Sequence, residues 1–365
     1  MIISRTPFRV SFFGGGTDYP VWYREHGGAV LATTINKYCY ITCRYLPPFF
    51  EHKSRIVWSE IERVSDISQI QHPAVREALS FLGVDQGVEI HHDGDLPAKA
   101  GLGSSSSFAV GLLHALHTLN GVAPTKRQLA LEAIHVERDR LLENVGLQDQ
   151  VSTAFGGLNR VDFGGADEFS ITPIALPAER LDQLQSNLML FYTGAARNAS
   201  DIAGEQIKAT RQKKWELNAM YQMVDEGINL LTGKGDLCDF GRLLHDSWQL
   251  KRSLTNLIST PEVDQIYETA LKSGAIGGKL LGAGGGGFML FFVRPEDSSR
   301  VKESLSHLLH VPYRFESHGS QIIFHDAENL DTPVETLPPG HDGHEPNGAA
   351  AYRQESRSAG NADVR

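Results

Sequence analysis

The stretch Pro97-Ala98-Lys99-Ala100-Gly101-Leu102-Gly103-Ser104-Ser105-Ser106-Ser107 constrains the fold of this chain more than any other. Before it, Val88, Ile90 and His92 alternate with Glu89, His91 and Asp93, which predicts a strand. After it, Phe108, Leu112, Leu116 and Leu119 fall at helical spacing. Glycine lets a backbone come close to a ligand and adopt positive φ. Serine caps helix N-termini, where up to four N–H groups lack partners. A glycine loop running into a helix start is therefore a ready anion site, and phosphate is the usual anion. The same residues also describe a capped helix after a flexible turn.

Two familiar phosphate loops are excluded. A Walker loop needs Gly-x4-Gly-Lys-Ser/Thr. The nearest approach, Ser273 to Leu280, has Ser273 where the first glycine belongs and Leu280 after Lys279. A dinucleotide-binding turn needs Gly-x-Gly-x-x-Gly opening a helix. Gly101 and Gly103 are followed by Ser106 in place of the third glycine, and Gly282, Gly284 and Gly287 run into the strand-like Phe288 to Val293.

A length of 365 residues suggests about two domains. The formal net charge of −10 argues against a nucleic-acid surface, so anionic substrates must be held by local lysine or arginine. Cys39, Cys43 and Cys238 cannot build a disulfide framework or a zinc site and are expected to be reduced thiols. The N-terminus lacks signal-peptide architecture, and the longest apolar run, Leu280 to Val293, is too short and glycine-rich to span a bilayer. The expected protein is cytoplasmic and engages neither membrane nor nucleic acid. A homodimer is one assembly the sequence admits.

Along the chain, a strand from Arg5 to Phe13 enters Gly14-Gly15-Gly16-Thr17-Asp18-Tyr19. Asp18 there can bind sugar hydroxyls or cap the next helix. Ala29 to Thr34 and Tyr38 to Tyr45 read as two strands, and Lys126 to Leu142 as a helix interrupted at Gly146. Glu137 and Asp149 stand either side of that break, close enough to converge on one site. The region from Ile171 to Gln185 is punctuated by proline and charge, which places a domain boundary near 185. Helical tracts follow over Ser200 to Leu231, Leu237 to Gln249 and Pro261 to Lys272, with strands after them to His325. This order predicts an α+β fold with domains over 1–185 and 186–330. From Asp331 large apolar residues become rare, which predicts a disordered tail over 331–365.

Three glycine-rich signals now stand in order: Arg9 to Tyr19, Pro97 to Ser107, and Lys279 to Gly287. Together they resemble the GHMP kinases, named for galactokinase, homoserine kinase, mevalonate kinase and phosphomevalonate kinase. The resemblance covers roughly residues 1 to 325. It implies an N-terminal domain like the second domain of ribosomal protein S5 and a ferredoxin-like C-terminal domain. The first motif, Arg9-Val10-Ser11-Phe12-Phe13-Gly14-Gly15-Gly16-Thr17-Asp18-Tyr19, has glycines where galactokinases carry Glu and His. That form is similar to the heptose 7-phosphate kinase branch, with fucokinases as relatives. His135-Val136-Glu137-Arg138, Gln148-Asp149-Gln150 and Trp248-x-x-Lys251 resemble the same branch.

The resemblance implies roles residue by residue. ATP would be held by Pro97, Lys99, Ala100, Gly101, Leu102, Gly103, Ser104, Ser105, Ser106 and Ser107. Ser105 and Glu137 would ligate Mg²⁺, a hard cation seeking oxygen. Asp149 would accept or orient the proton of the attacking hydroxyl, and Arg9 would stabilise charge on the phosphoryl group. Gly15, Gly16, Thr17 and Asp18 would line the sugar pocket. An acidic protein that takes a phosphosugar also needs a local cationic clamp, for which Arg197, Lys251 and Arg252 are candidates. The implied reaction is phosphorylation of a sugar phosphate at its anomeric hydroxyl. A neutral-sugar kinase of the fucokinase or galactokinase kind, or a non-catalytic sugar sensor, are the competing readings.

Overall fold

The computed structural model describes residues 1–47, 49–165, 168–194 and 199–326. The tail expected over 331–365, and Arg197, lie outside the described residues. The first part of the chain runs β1 (Ile2–Phe13), α1 (Pro20–His26), β2 (Gly28–Tyr45), β3 (Ser54–Val57), β4 (Ile61–Val64), α2 (Pro73–Leu82), β5 (Val88–Gly94), α3 (Ser104–Leu119), α4 (Lys126–Ile134), α5 (Gln148–Phe155), β6 (Asn159–Phe163), β7 (Phe169–Pro173) and α6 (Ala178–Ser186). It continues through β8 (Leu188–Tyr192), α7 (Ala199–Ala209), α8 (Lys214–Thr232), α9 (Cys238–Arg252), α10 (Pro261–Lys272), β9 (Ala275–Leu280), β10 (Phe288–Val293), α11 (Ser298–Ser304), β11 (Leu309–His310), β12 (Phe315–Glu316) and β13 (Gln321–His325).

Among the described residues these strands form two sheets, the mixed α+β architecture expected. The larger follows the order β13-β1-β2-β5-β3-β4, with β6 and β12 also pairing with β2, and β7 with β6. The smaller is β11-β8-β10-β9 and is antiparallel throughout. It opens at β8, next to the boundary placed near residue 185. The strands β12 and β13 then return to β2 and β1, so the end of the described chain completes the first sheet. No helix among the described residues is long and apolar enough to cross a membrane.

The expected break between strands near Asn36 is a bulge inside the single strand β2. Pro7 lies opposite Tyr38 and Phe8 opposite Ile35, so Asn36 and Lys37 have no opposite number in β1. Proline offers no N–H to the ladder, which favours an irregularity there. Asn36 instead bonds to Arg314, its Oδ1 accepting from Arg314 N at 2.6 Å and its N–H donating to Arg314 O at 2.8 Å. This docks β12 beside β2.

The expected helix over Lys126 to Leu142 also differs. The α-helix ends at Ile134 and widens into a π-turn over His135–Arg140, with Leu141 N donating to Val136 O at 2.9 Å. Such a turn inserts extra backbone, which here leaves Glu137 buried while Asp139 faces outward. Likewise the tract over Ser200 to Leu231 is two helices, α7 and α8, joined by a 3₁₀ turn at Thr210–Gln212. The α3 helix packs its apolar face on β1 and β2, with Leu112, Leu113 and Leu116 fully buried. That packing fixes the N-terminus of α3 beside Arg9 of β1.

Candidate active site

The four serines at the start of α3 do four different things. Ser104 Oγ accepts from Lys99 N at 3.0 Å and braces the loop. Ser105 is exposed. Ser106 Oγ donates to Glu137 Oε2 at 2.7 Å. Ser107 Oγ sits 2.9 Å from Gly103 O and 3.0 Å from Pro7 O, tying the helix to β1. None of them caps the helix. The capping position is Gly103, in the left-handed region at φ 75° without a side-chain cap bond. Ser107 N bonds to Gly103 O, so the N–H groups of Ser104, Ser105 and Ser106 are those an α-helix leaves without intrahelical partners. They stand at the positive end of a 16-residue helix dipole. Pro97 and Lys99 are exposed, while Ala100 and Leu102 are buried and anchor the loop.

Beside this helix start, Arg9 and Asp149 form a bidentate pair. Arg9 Nε donates to Asp149 Oδ1 and Nη2 to Oδ2, both at 2.7 Å. The remaining Nη1 donates to Gly101 O at 2.7 Å, and Arg9 N donates to Leu102 O at 3.0 Å. One arginine thus joins β1, the glycine loop and the first turn of α5. Gly103 passes between them: a β-carbon there would stand 3.2 Å from Arg9 Cγ and 3.4 Å from Asp149 Oδ2.

Glu137 is 2% exposed and accepts from Ser106 Oγ at 2.7 Å and Gln150 Nε2 at 2.5 Å, both through Oε2. Its Oε1 is buried with no hydrogen-bond partner. Burial pushes its carboxyl up to about 7, against the hydrogen bonds from Ser106 and Gln150. An orphaned buried carboxylate oxygen next to a serine hydroxyl is the donor chemistry a hard divalent cation takes. Among the described residues no cluster of three or more His, Cys, Asp or Glu could hold a metal unaided.

The Gly14 to Asp18 turn forms the opposite wall. Thr17 is fully buried and Thr17 Oγ1 sits 2.8 Å from Gly14 O and 2.9 Å from Ala29 O, so it builds the turn from behind. Asp18 is buried, and its Oδ1 accepts from Gly16 N at 2.9 Å. It does not cap the next helix, whose capping residue is Tyr19. Burial, with Asp149 nearby, raises the Asp18 carboxyl above its usual range. A β-carbon on Gly146 would overlap Asp18 Oδ2 at 1.9 Å, so the glycine that interrupts the helical pattern there makes room for this carboxylate.

These parts line one open cleft. Arg9, Gly15, Gly16, Asp18, Lys99, Gly101, Gly103, Ser104, Ser105, Ser106, Asp149 and Lys251 all reach it. Of the expected clamp residues, Lys251 is buried with its Nζ donating to Gly282 O, and burial followed by Arg9 brings its ammonium down to about 8. Arg252 is instead paired with Asp264 at 2.7 Å.

The sequence reading did not single out Tyr19, Glu143, Asn144, Gln148 or Gln206, which also line the cleft. It also missed Lys279, whose Nζ is buried and donates to Phe12 O at 2.7 Å, just ahead of the glycine turn. Burial, then Lys251 and Arg9, hold its ammonium far below the usual lysine range. For Gln148 and Gln150 the signal was adjacency to Asp149, and for Lys279 its place at the head of the third glycine-rich stretch; for Gln206 there was none.

The sequence model of the GHMP kinases N terminal domain matches residues 69–157, and that of the GHMP kinases C terminal region matches residues 229–310. The chain is similar to the D-glycero-alpha-D-manno-heptose 7-phosphate kinase of Campylobacter jejuni, 28% identical over 320 residues covering 83% of this chain and 93% of that protein. It is also similar to the galactokinase of Thermotoga maritima, 23% identical over 90% of this chain and 98% of that protein. Among solved structures, a D-glycero-D-manno-heptose 1-phosphate kinase from Bacteriodes thetaiotaomicron shares the fold at TM-score 0.73 and 23% identity, covering 90% of this chain and 100% of that one. The chain belongs to the GHMP kinases and is an ATP-dependent sugar kinase of that family.

Proposed function

We propose that this kinase transfers the γ-phosphoryl group of ATP to the anomeric hydroxyl of a sugar phosphate, with D-glycero-D-manno-heptose 7-phosphate as the substrate and the 1,7-bisphosphate as product. The observation that carries the proposal is the bidentate Arg9–Asp149 pair, set between the open N-terminus of α3 and the glycine turn. Phosphoryl transfer needs little covalent help and much positioning and charge neutralisation. The similarity to the Campylobacter heptose 7-phosphate kinase supports the choice of sugar.

On this reading, the free N–H groups of Ser104 to Ser106 bind the phosphates of ATP. Asp149, with both oxygens already bonded to Arg9, keeps lone pairs free to orient the sugar hydroxyl and take its proton as the oxygen attacks the γ-phosphorus. Arg9 faces the charge that spreads over the transferring group, and Lys251 adds a second cation beside it. Glu137 Oε1 and the Ser105 hydroxyl would hold Mg²⁺, which when bound neutralises phosphate charge. Gly15, Gly16 and Asp18 would face the sugar, with Thr17 holding their turn. In this proposal residues 1–185, completed by the returning strands β12 and β13, form the nucleotide-binding domain and the rest of 186–330 the second domain, and the enzyme works in the cytoplasm, where ATP is at hand.

One observation favours a second reading. Among the described residues, the cations that reach the cleft are Arg9, Lys99 and Lys251, and the wall at the glycine turn is otherwise uncharged or acidic. A neutral sugar, as in the fucokinases and galactokinases, would suit that wall. Incubation with Mg-ATP and a panel of heptose 7-phosphate, mannose 6-phosphate, fucose and galactose separates the readings by ADP release. The heptose phosphate is expected to give the highest kcat/KM. Preference for fucose or galactose would overturn the phosphosugar assignment, and absence of ADP with every sugar would favour a sensor.

A further inference from the structure

Two side-chain amides flank the glycine turn and have no part in the chemistry described above. Gln148 opens α5 one residue before Asp149, and Gln206 lies on α7 at 3% exposure. Both reach the cleft. A β-carbon on Gly16 would fall 2.5 Å from Gln206 Nε2, and one on Gly15 would fall 3.8 Å from Gln148 Nε2. The two amides therefore meet the turn from different helices, and Gly16 is glycine because Gln206 occupies the space.

Gln148 Oε1 is buried and has no hydrogen-bond partner. Among the described residues, the hydrogen bonds of Gln148 and Gln206 run through their backbones, the Gln148 N–H donating to Asp18 Oδ2 at 3.4 Å and the Gln206 carbonyl accepting from Thr210 Oγ1 at 3.0 Å. An unpaired buried polar group is costly, so Gln148 Oε1, and beside it the cleft-lining Gln206 amide, are left for a ligand. A carboxamide offers two N–H donors and an acceptor oxygen, which complements a hydroxyl acting as both donor and acceptor. Being neutral, it suits hydroxyls rather than a second phosphate.

We infer that Gln148 and Gln206 read the ring hydroxyls of the acceptor sugar and decide which sugars the enzyme accepts. This rests on the proposed sugar-phosphate kinase activity. Gln148, beside Asp149 in the first turn of α5, meets a hydroxyl next to the reacting one, and Gln206 meets one further round the ring. A site built to bond a hydroxyl rejects the analogue that lacks it far more strongly than an apolar pocket rejects a missing methylene.

The test uses the full-length protein with D-glycero-D-manno-heptose 7-phosphate and its 2-, 3- and 4-deoxy analogues. Binding is measured by calorimetry without nucleotide, and turnover by ADP release. Wild type should prefer the parent sugar over at least one deoxy analogue by at least ~10-fold in both affinity and kcat/KM. Gln148→Met and Gln206→Met, chosen to keep volume, should each erase the preference at one hydroxyl while leaving KM for ATP unchanged. Gln206→Asn, which keeps the amide on a shorter arm, should restore part of it. Variants that retain the full wild-type preference overturn the inference, as does a wild type indifferent to every deoxy analogue or unable to bind the sugar. Sugar binding with this pattern but no ADP release would uphold the inference and reject the kinase reading alone.

Discussion

A β-carbon on Gly282 would stand 2.4 Å from the α-carbon of Gly101, so the third glycine-rich stretch packs backbone to backbone against the serine loop. Gly101 in turn leaves no room for a side chain, since its β-carbon would lie 2.4 Å from Leu281 O, and its φ of +85° is left-handed. The Gly282 to Gly287 run therefore backs the anion site as a wall. Gly101→Ala should destabilise the fold by at least ~1–2 kcal/mol from the left-handed backbone alone, read as a lowered midpoint in chemical denaturation. An unchanged midpoint would show that the two stretches separate readily.

Gly103→Ala, at φ +75°, carries the same left-handed cost and should also act on the chemistry. Its β-carbon would press on Arg9 Cγ at 3.2 Å and Asp149 Oδ2 at 3.4 Å, contacts that side chains can yield to. The expected outcome is a folded protein whose kcat drops by at least ~10-fold, because small displacements of reacting groups cost rate steeply. Wild-type kcat in that variant would mean that the Arg9–Asp149 geometry is not critical.

Magnesium dependence should follow Glu137. Burial raises its carboxyl to about 7, and only the ionised form ligates a cation. Apparent Mg²⁺ affinity should therefore climb as pH rises through about 7 in wild type and lose that dependence in Glu137→Gln. Stability runs the other way. A carboxyl raised above its ordinary 4.5 stabilises the metal-free fold below that value, and the contribution is lost as pH rises through about 7. Glu137→Gln should thus gain on wild type in Tm between those limits. Magnesium titrations that overlay at every pH would exclude Glu137 as a ligand.

Lys251 carries an alkaline limit. Burial and the neighbouring Arg9 lower its ammonium to about 8, so the free enzyme loses this cation as pH rises through that value. In kcat/KM, which reports groups of the free enzyme, wild type should fall off above about 8. Lys251→Arg, whose charge persists, should move the limb upward. A limb that stays in place in the arginine variant would assign it to another group.

The parts of the site legible in the sequence were those written as local patterns. Gly101 to Ser107, Arg9 and Asp149 announced themselves by spacing and resemblance, and the fold brings Gly101, Gly103, Ser104, Ser105, Ser106, Arg9 and Asp149 to one cleft, with Leu102 and Ser107 buried behind it. The work of each serine was not legible, because successive residues of a helix turn about its axis and only the packed helix decides that Ser106 rather than Ser104 meets Glu137. The return of β12 and β13 to the first sheet was hidden for a related reason: strand partners far apart in sequence leave no local trace. Gln206 looked like one more polar residue on a solvated helix, and Lys279 only marked the start of the third glycine-rich stretch. Only the packing of α7 over the turn and of β9 behind β1 gives them their places.

The most direct test of the account is phosphorus NMR of heptose 7-phosphate incubated with Mg-ATP and the enzyme. One new phosphate signal coupled to the anomeric proton should appear per ADP formed. Asp149→Asn, folded and binding ATP, should slow its appearance by at least ~10²-fold, the low end for a lost general base. A new phosphate on another carbon, no phosphorylated sugar, or an Asp149→Asn enzyme that keeps wild-type turnover would contradict it.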